Sequence, residues 1–407
     1  MRGNGLTERM RRPLVVGTIA AAVVALVVSG CSSQTPPKYS DKVVAAGNFD
    51  DLLRPAVTVT GAGGKPVVNR SQGVAPSVPI VVKASNGTLT DVKLTADDGS
   101  AVGGNLSADK TTWTSTDTFG FGQTYTLVAD ASGIDGVSGR QLSFTTTSPS
   151  ELTDAYLLPN DGETVGIGQP VAVQFDEPIS DKKAAQDAIT VTTSPHVDGA
   201  FYWISDTEVR WRPQNFWAPG TKVHVNVNTK GVDLGDGTYG DNTAKADFTI
   251  GRSMISYADD NTKMITVVVD GKTVKTMPTS MGKDSSPTNN GTYIVAERDP
   301  SVIMDSSTYG VPVNSPGGYR EVVYDATRIS YSGIYVHAAP WSLSEQGNTD
   351  VSNGCLNVSP ADAKWFLDNS LRGDVVIVRN TVGPPLPGTD GLGDWNIPWN
   401  EWKNGDA

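Results

Sequence analysis

Lys222-Val223-His224-Val225-Asn226-Val227 alternates strictly between polar and apolar side chains. Successive side chains of an extended chain point to opposite faces, so the three valines face one way and Lys222, His224 and Asn226 the other. This is a strand with one face in a core and one in water, and it puts His224 on the wet side. The arrangement recurs 98 residues upstream, where Gly122-Gln123-Thr124-Tyr125 matches Gly220-Thr221-Lys222-Val223 and Trp113 matches Trp211. Ser143-Phe144-Thr145 has its counterpart in Asp247-Phe248-Thr249, displaced slightly further by an insertion. A period near one hundred residues fits two tandem immunoglobulin-like β-sandwiches.

Outward from this repeat the pattern is the same. Short apolar alternations at 78–83, 89–94, 111–115, 124–128 and 141–146 are separated by turn signals such as Asp98-Gly99 and Asp135-Gly136. After Gly251, segments 264–269 and 272–277 flank Asp270-Gly271, a pair suited to a tight primed hairpin turn. Segment 330–336 reads as a further strand with His337 at its end. Ser359-Pro360 opens a short helix that Gly373 stops, with Trp365, Phe366 and Leu367 as its apolar contacts. Segment 375–378 is a buried strand. The tail is rich in Pro and Gly but contains Trp395, Trp399 and Trp402, and tryptophan is scarce in disordered segments. It is expected to fold back onto a neighbouring domain. The class is therefore mainly β. Residues 50–149 and 150–250 form the two sandwiches, 251–379 a β-rich third domain with a short helix, and 380–407 a C-terminal extension.

Residues 1–30 read as an export signal: Arg9, Arg11 and Arg12 precede an uncharged stretch too short to span a bilayer as a helix. Val28-Ser29-Gly30-Cys31 resembles a bacterial lipobox, which makes Cys31 the expected site of lipidation and 31–49 a tether. The rest of the chain is expected at the outer face of the cell membrane, in the periplasm or cell wall. The formal charge is −12, and the first thirty residues hold four arginines and one glutamate, leaving the remainder near −15. Such an acidic chain without a Lys/Arg cluster is a poor nucleic-acid binder.

With Cys31 acylated, Cys355 has no intramolecular partner in a compartment that permits disulfides. It lies in Ser352-Asn353-Gly354-Cys355-Leu356-Asn357, downstream of His337, and the chain has only two cysteines and three histidines. An imidazole can take the thiol proton and later return it to a leaving amine, which points to acyl transfer through a thioester. An activated Cys355 is then expected to titrate well below the free-thiol value of about 8.5. A backbone carbonyl can orient the ring. The N–H groups of Gly354 and Cys355, with Asn353 beside them, are candidates for an oxyanion hole. His196 and His224 have no comparable context. Phe119-Gly120-Phe121-Gly122 lacks the strand–loop–helix setting of a phosphate loop. Acidic pairs such as Asp259-Asp260 lack His or Cys at ligand spacing, so no metal and no cofactor are implied.

His337 and, with seventeen residues between it and Cys355, the segment Ser352-Asn353-Gly354-Cys355-Leu356-Asn357 resemble the signature of the L,D-transpeptidases. Segments 259–283, 303–319 and 390–396 are also similar to the mycobacterial members, so the likeness covers essentially the whole exported chain. The resemblance implies two immunoglobulin-like domains before the catalytic one, with Cys355 as nucleophile and His337 as base. It further implies that the Ala338 carbonyl orients the ring and that the amides of residues 353–355 hold the oxyanion. The partners it implies are peptidoglycan stem peptides, a donor tetrapeptide and an acceptor, with carbapenem β-lactams as covalent inhibitors. Thioester formation would release D-alanine, and an acceptor amine would resolve it into a 3→3 cross-link. Met304, Tyr309, Tyr319, Trp341 and Asn357 correspond to lining positions, Ser332 more weakly, and the loop 304–320 to a lid over the cleft. Two positions depart from the pattern: Asn353 stands where many members have His, and Ala338 where Ser is common. An L,D-carboxypeptidase, in which water resolves the thioester, and a non-catalytic wall-binding lipoprotein remain as alternatives.

Overall fold

The computed structural model describes residues 53–405, and most of them are in strands or the turns between strands. The expected signal, the tether and Cys31 lie outside the described residues. Among the described residues no helix is long and apolar enough to cross a membrane.

The first sandwich has one sheet ordered Ala56–Thr60, Val81–Ser85, Thr112–Ser115, Gly104–Leu106. The other is ordered Ser71–Val74, Gly136–Thr146, Thr124–Gly133, Gly87–Ala96. Val59, Val82, Leu127, Leu142 and Phe144 meet between them. In the second sandwich the order is Ala155–Leu158, Val171–Phe175, Glu208–Pro213, Gly199–Trp203 in one sheet. Thr164–Val165, Ala244–Ile250, Lys222–Val227 and Ile189–Ser194 make the other. Val223, Val225 and Val227 are buried. His224 is about half exposed on the opposite face, with Nδ1 2.7 Å from Asp247 Oδ1. Between the sandwiches Glu151–Thr153 pairs in parallel with Thr238–Gly240, so the connection is itself a strand.

The repeat goes deeper than the aligned residues. Trp113 is registered opposite Leu106 and Trp211 opposite Phe201. Each indole lies over the glycine two positions before that partner, where a Cβ on Gly104 or Gly199 would come within 2.0 or 2.1 Å of the ring. Both sandwiches thus use one device, a bare patch of strand that admits a tryptophan.

The third domain has a five-stranded sheet, Lys272–Pro278, Met264–Val269, Met254–Asp259, Val375–Arg379, Gly291–Ile294. Its second sheet is Arg298–Asp305, Arg320–Arg328, Tyr335–Ala338, Leu356–Val358. Asp270 and Gly271 have φ of 48° and 78°, the two left-handed residues of a primed turn. The helix Pro360–Asn369 is capped by Ser359, whose Oγ accepts the Asp362 N–H at 3.2 Å, a contact worth about 1 kcal/mol. Its buried residues Ala363 and Phe366 pack against Val336, Leu356 and Val358, the strands that carry the site.

Four local expectations are corrected. The strand expected at 330–336 begins only at Tyr335, so His337 lies inside it. Residues 330–334 turn instead, because the Asp390 carboxylate accepts the N–H groups of Tyr331 and Ser332, and Ser330 Oγ accepts that of Ile334. These side-chain bonds replace the ladder. The strand expected at 78–83 starts at Val81, after Pro79, which has no N–H to give. The helix ends at Asn369 rather than running to Gly373. Met304, Asp305 and Arg320 lie on paired strands, so the loop expected at 304–320 is confined to 306–319, the connection of a long hairpin.

The C-terminal extension clamps the second sandwich to the third domain. Arg210 Nη1 donates to Asp394 Oδ2 at 2.7 Å, with both side chains buried. Burial works against the Arg210 charge, but Asp394 and Glu208 outweigh it and hold the guanidinium protonated. Arg212 is enclosed by Trp402, Trp395 and Trp399, with its guanidinium carbon 4.2, 4.6 and 5.6 Å from their ring centres. Its Nη2 donates to the Ile397 carbonyl at 2.8 Å. The indole N–H groups of Trp395 and Trp402 donate to the carbonyls of Gly168 and Ala200. The expected fold-back is therefore a built joint of charge, cation–π faces and buried indole.

Candidate active site

His337 and Cys355 meet because two short strands run in parallel. Tyr335–Ala338 pairs with Leu356–Val358 so that His337 lies opposite Asn357. Cys355 is two residues before Asn357, so its side chain leaves on the same side of the strand as that of Asn357. Cys355, His337 and Asn357 accordingly line one cavity of about 220 Å³, together with Met304, Tyr319 and Trp341. The side chains of Cys355 and His337 are both buried, at 8% and 3% exposure.

The imidazole tautomer follows from its partner. His337 Nδ1 lies 3.0 Å from the Ala338 carbonyl oxygen. A carbonyl only accepts, so Nδ1 carries the hydrogen and Nε2 keeps its lone pair. Burial holds the ring below the usual histidine range, partly opposed by that carbonyl. The Trp341 ring centre is 6.0 Å from that of His337, and the indole itself is about half exposed at the mouth.

The thiol donates to the Gly333 carbonyl across 3.6 Å rather than to the imidazole. Burial pushes it up to about 11, with the Tyr335 backbone N–H opposing the shift. Burial thus works against the expectation that Cys355 titrates below an ordinary thiol, and no cationic side chain lines the cavity to favour the thiolate. The resting pair is neutral thiol and neutral imidazole. Alkylation by iodoacetamide, followed by intact mass, is expected to quicken about tenfold per pH unit from pH 7 to 10. A plateau below pH 8 would contradict it.

The loop before the thiol is held from behind. Ser286 Oγ donates to the Asn353 carbonyl at 3.0 Å and Thr288 Oγ1 to the Gly354 carbonyl at 2.8 Å. Ser352 Oγ donates to the Cys355 carbonyl at 2.7 Å and accepts the Gly354 N–H at 3.0 Å. This last bond removes Gly354 from the expected oxyanion donors. The N–H groups of Asn353 and Cys355 have no partner among the described residues and remain candidates. Gly354 matters for another reason: its φ is +123°, and a Cβ there would sit 2.9 Å from Ile334 Cδ1. Only glycine takes this conformation without strain.

The remaining sequence candidates divide. Asn357 is buried, and its Nδ2 donates to Ser342 Oγ at 3.2 Å. Ser332 lies in a neighbouring cavity of about 330 Å³, lined also by Met304, Tyr319, Gly333 and Tyr335. Met304 and Tyr319 therefore line both cavities. The side chain of Tyr309 lies outside the described residues. Sequence reasoning missed Gly333, Ser286, Thr288, Ser342 and Glu321. The first four act through single carbonyls or hydroxyls in polar turns that look like any others.

A family model described as the L,D-transpeptidase catalytic domain matches residues 253–378, and a bacterial Ig domain model matches 71–233. L,D-transpeptidase 2 of Mycobacterium tuberculosis is 52% identical over 400 residues, covering 98% of this chain and 96% of that protein. L,D-transpeptidase 5 of the same species is 36% identical, covering 81% of this chain and 73% of its own length. The solved structure of LD transpeptidase LdtMt1 in complex with imipenem is 36% identical. It covers 55% of this chain and 98% of its own, with a TM-score of 0.50.

Proposed function

Because the chain belongs to the L,D-transpeptidase family, we propose that this transpeptidase forms 3→3 cross-links between peptidoglycan stems through a thioester on Cys355. The observation that carries the reading is the shared cavity of the Cys355 thiol and the His337 Nε2 lone pair, beside the amides of Asn353 and Cys355. A donor carbonyl entering this cavity replaces the Gly333 carbonyl as the neighbour of the sulfur. The thiol proton passes to His337 as the S–C bond forms, so thiolate need not exist beforehand. The two amides receive the developing oxyanion, and each such donor lowers the barrier by about 3 kcal/mol. Protonated His337 then gives its proton to the departing D-alanine nitrogen. An acceptor amine completes the transfer by attacking the thioester, with Cys355 leaving.

The burial of the pair favours transfer over hydrolysis, since water competes with the amine for the thioester. We place the enzyme at the outer face of the membrane, held by lipid on Cys31, with β-lactams able to acylate Cys355. LdtMt1 has been solved in complex with imipenem.

Purified enzyme and disaccharide tetrapeptide stems are expected to give free D-alanine and a 3→3 dimer, read by mass. Trimmed tripeptide without dimer would favour the carboxypeptidase alternative. Neither product would leave the wall-binding alternative.

A further inference from the structure

We propose that Glu321 is a specificity-determining residue that draws the cationic amine of the acceptor stem into the cavity beside the thioester; this rests on the amine-acceptor reading above. The strand Arg320–Arg328 pairs antiparallel with Arg298–Asp305, and Glu321 lies opposite Met304. Alternate residues share a face. Glu321 and Val323 both line the Cys355 cavity, while Val322 and Tyr324 are exposed on the other side of the hairpin.

Of the side chains lining that cavity, Glu321 is the only one with a formal charge when His337 is neutral. Its backbone is part of the ladder with Arg298–Asp305, but its carboxylate has no hydrogen bond or ion pair among the described residues. Its neighbour Arg320 turns to Asp305 instead, at 3.7 Å. A carboxylate left unpaired at the mouth of a reaction cavity is free to serve a ligand. The neighbouring cavity offers no equivalent. Its Asp305 is taken by Ser307 and Arg320, and its Arg328 donates to the carbonyls of Ser330 and Tyr331.

The chemistry of the second half-reaction gives such a carboxylate a task. A primary alkyl amine has a pKa near about 10 and arrives as ammonium, whereas competing water is neutral. A negative charge at the mouth concentrates the cation and leaves water unaffected. The step itself balances without further reagents. The N–C bond forms as the C–S bond breaks. Of the two protons the nitrogen sheds, one reaches sulfur by way of His337 Nε2 and the other leaves to solvent.

The test uses the full chain, tetrapeptide stems as donor and acceptor, and Glu321→Gln and Glu321→Asp variants. The readout is the ratio of dimer to trimmed tripeptide per D-alanine released, so a change in overall rate cancels. An exposed charge pair implies about a fivefold fall in this ratio for Glu321→Gln. Part of it should return in Glu321→Asp. In the parent the ratio should fall towards the Gln value at about 0.5 M salt, which screens such pairs. A ratio unchanged in Glu321→Gln overturns the role of Glu321 alone. A parent that forms no thioester by intact mass overturns the amine-acceptor reading and this inference with it.

Discussion

Replacement of Cys355 by Ala is expected to abolish D-alanine release and dimer formation, a loss on the order of 10⁶ in rate for a nucleophile acting within a concerted set. The side chain is small and lies at the edge of a cavity, so its removal leaves the strand pairing of Leu356–Val358 with Tyr335–Ala338 in place. The unfolding midpoint should therefore move little while activity disappears. Replacement of His337 by Gln keeps a hydrogen-bonding side chain but removes the base, and a fall of about 10²–10⁴ in the rate of thioester formation is expected. Because the thiol is pushed up to about 11, that variant should recover steadily as pH rises and hydroxide takes over the deprotonation. The measurement is thioester or carbapenem adduct formation by intact mass across pH 6–10. Turnover unchanged in Cys355→Ala would end the proposed mechanism.

The second large effect is one of stability. Asp394→Ala should cost about 3–5 kcal/mol, because it leaves a buried guanidinium without its counter-charge. Arg210 would keep only Glu208, and Arg212 would keep its indole faces and carbonyls without the nearby carboxylate. Asp394 is 0% exposed, so water cannot replace it without opening the joint between the extension and the second sandwich. At about 2–4 °C per kcal/mol for domains of 150–250 residues, the unfolding midpoint should fall by roughly 10 °C. Indole fluorescence should shift with it, since Trp395, Trp399 and Trp402 surround Arg212. A midpoint within 2 °C of the parent would show that the joint contributes little. Differential scanning fluorimetry decides it.

Much of the architecture was legible because it is written in short-range periodicity. The alternation at 222–227 implied a half-buried strand, and those valines are buried as that alternation requires. The pair Asp270-Gly271 and the cap Ser359-Pro360 are local signals whose geometry depends on little beyond their neighbours. Reading failed where a distant side chain competes for the backbone. Asp390, some sixty residues downstream, takes the N–H groups of Tyr331 and Ser332, and no pattern within 330–336 announces it. Gly354 was singled out for an amide that the structure gives to Ser352, one hydroxyl two residues away.

By itself the sequence determined the strand-rich class and the repeat of the sandwiches, and it singled out one thiol and one imidazole as candidates, because residue type and spacing suffice for these. Only the tertiary structure decided that the resting thiol faces the Gly333 carbonyl, that burial keeps it protonated, and that Asn353 and Cys355 supply the open amides. It alone gave Arg210 and Arg212 their partners in a short helical turn near the end of the chain. The physical reason is common to all of these. Desolvation and hydrogen-bond competition depend on which groups the folded chain brings within a few ångströms, and separation along the sequence carries no information about that.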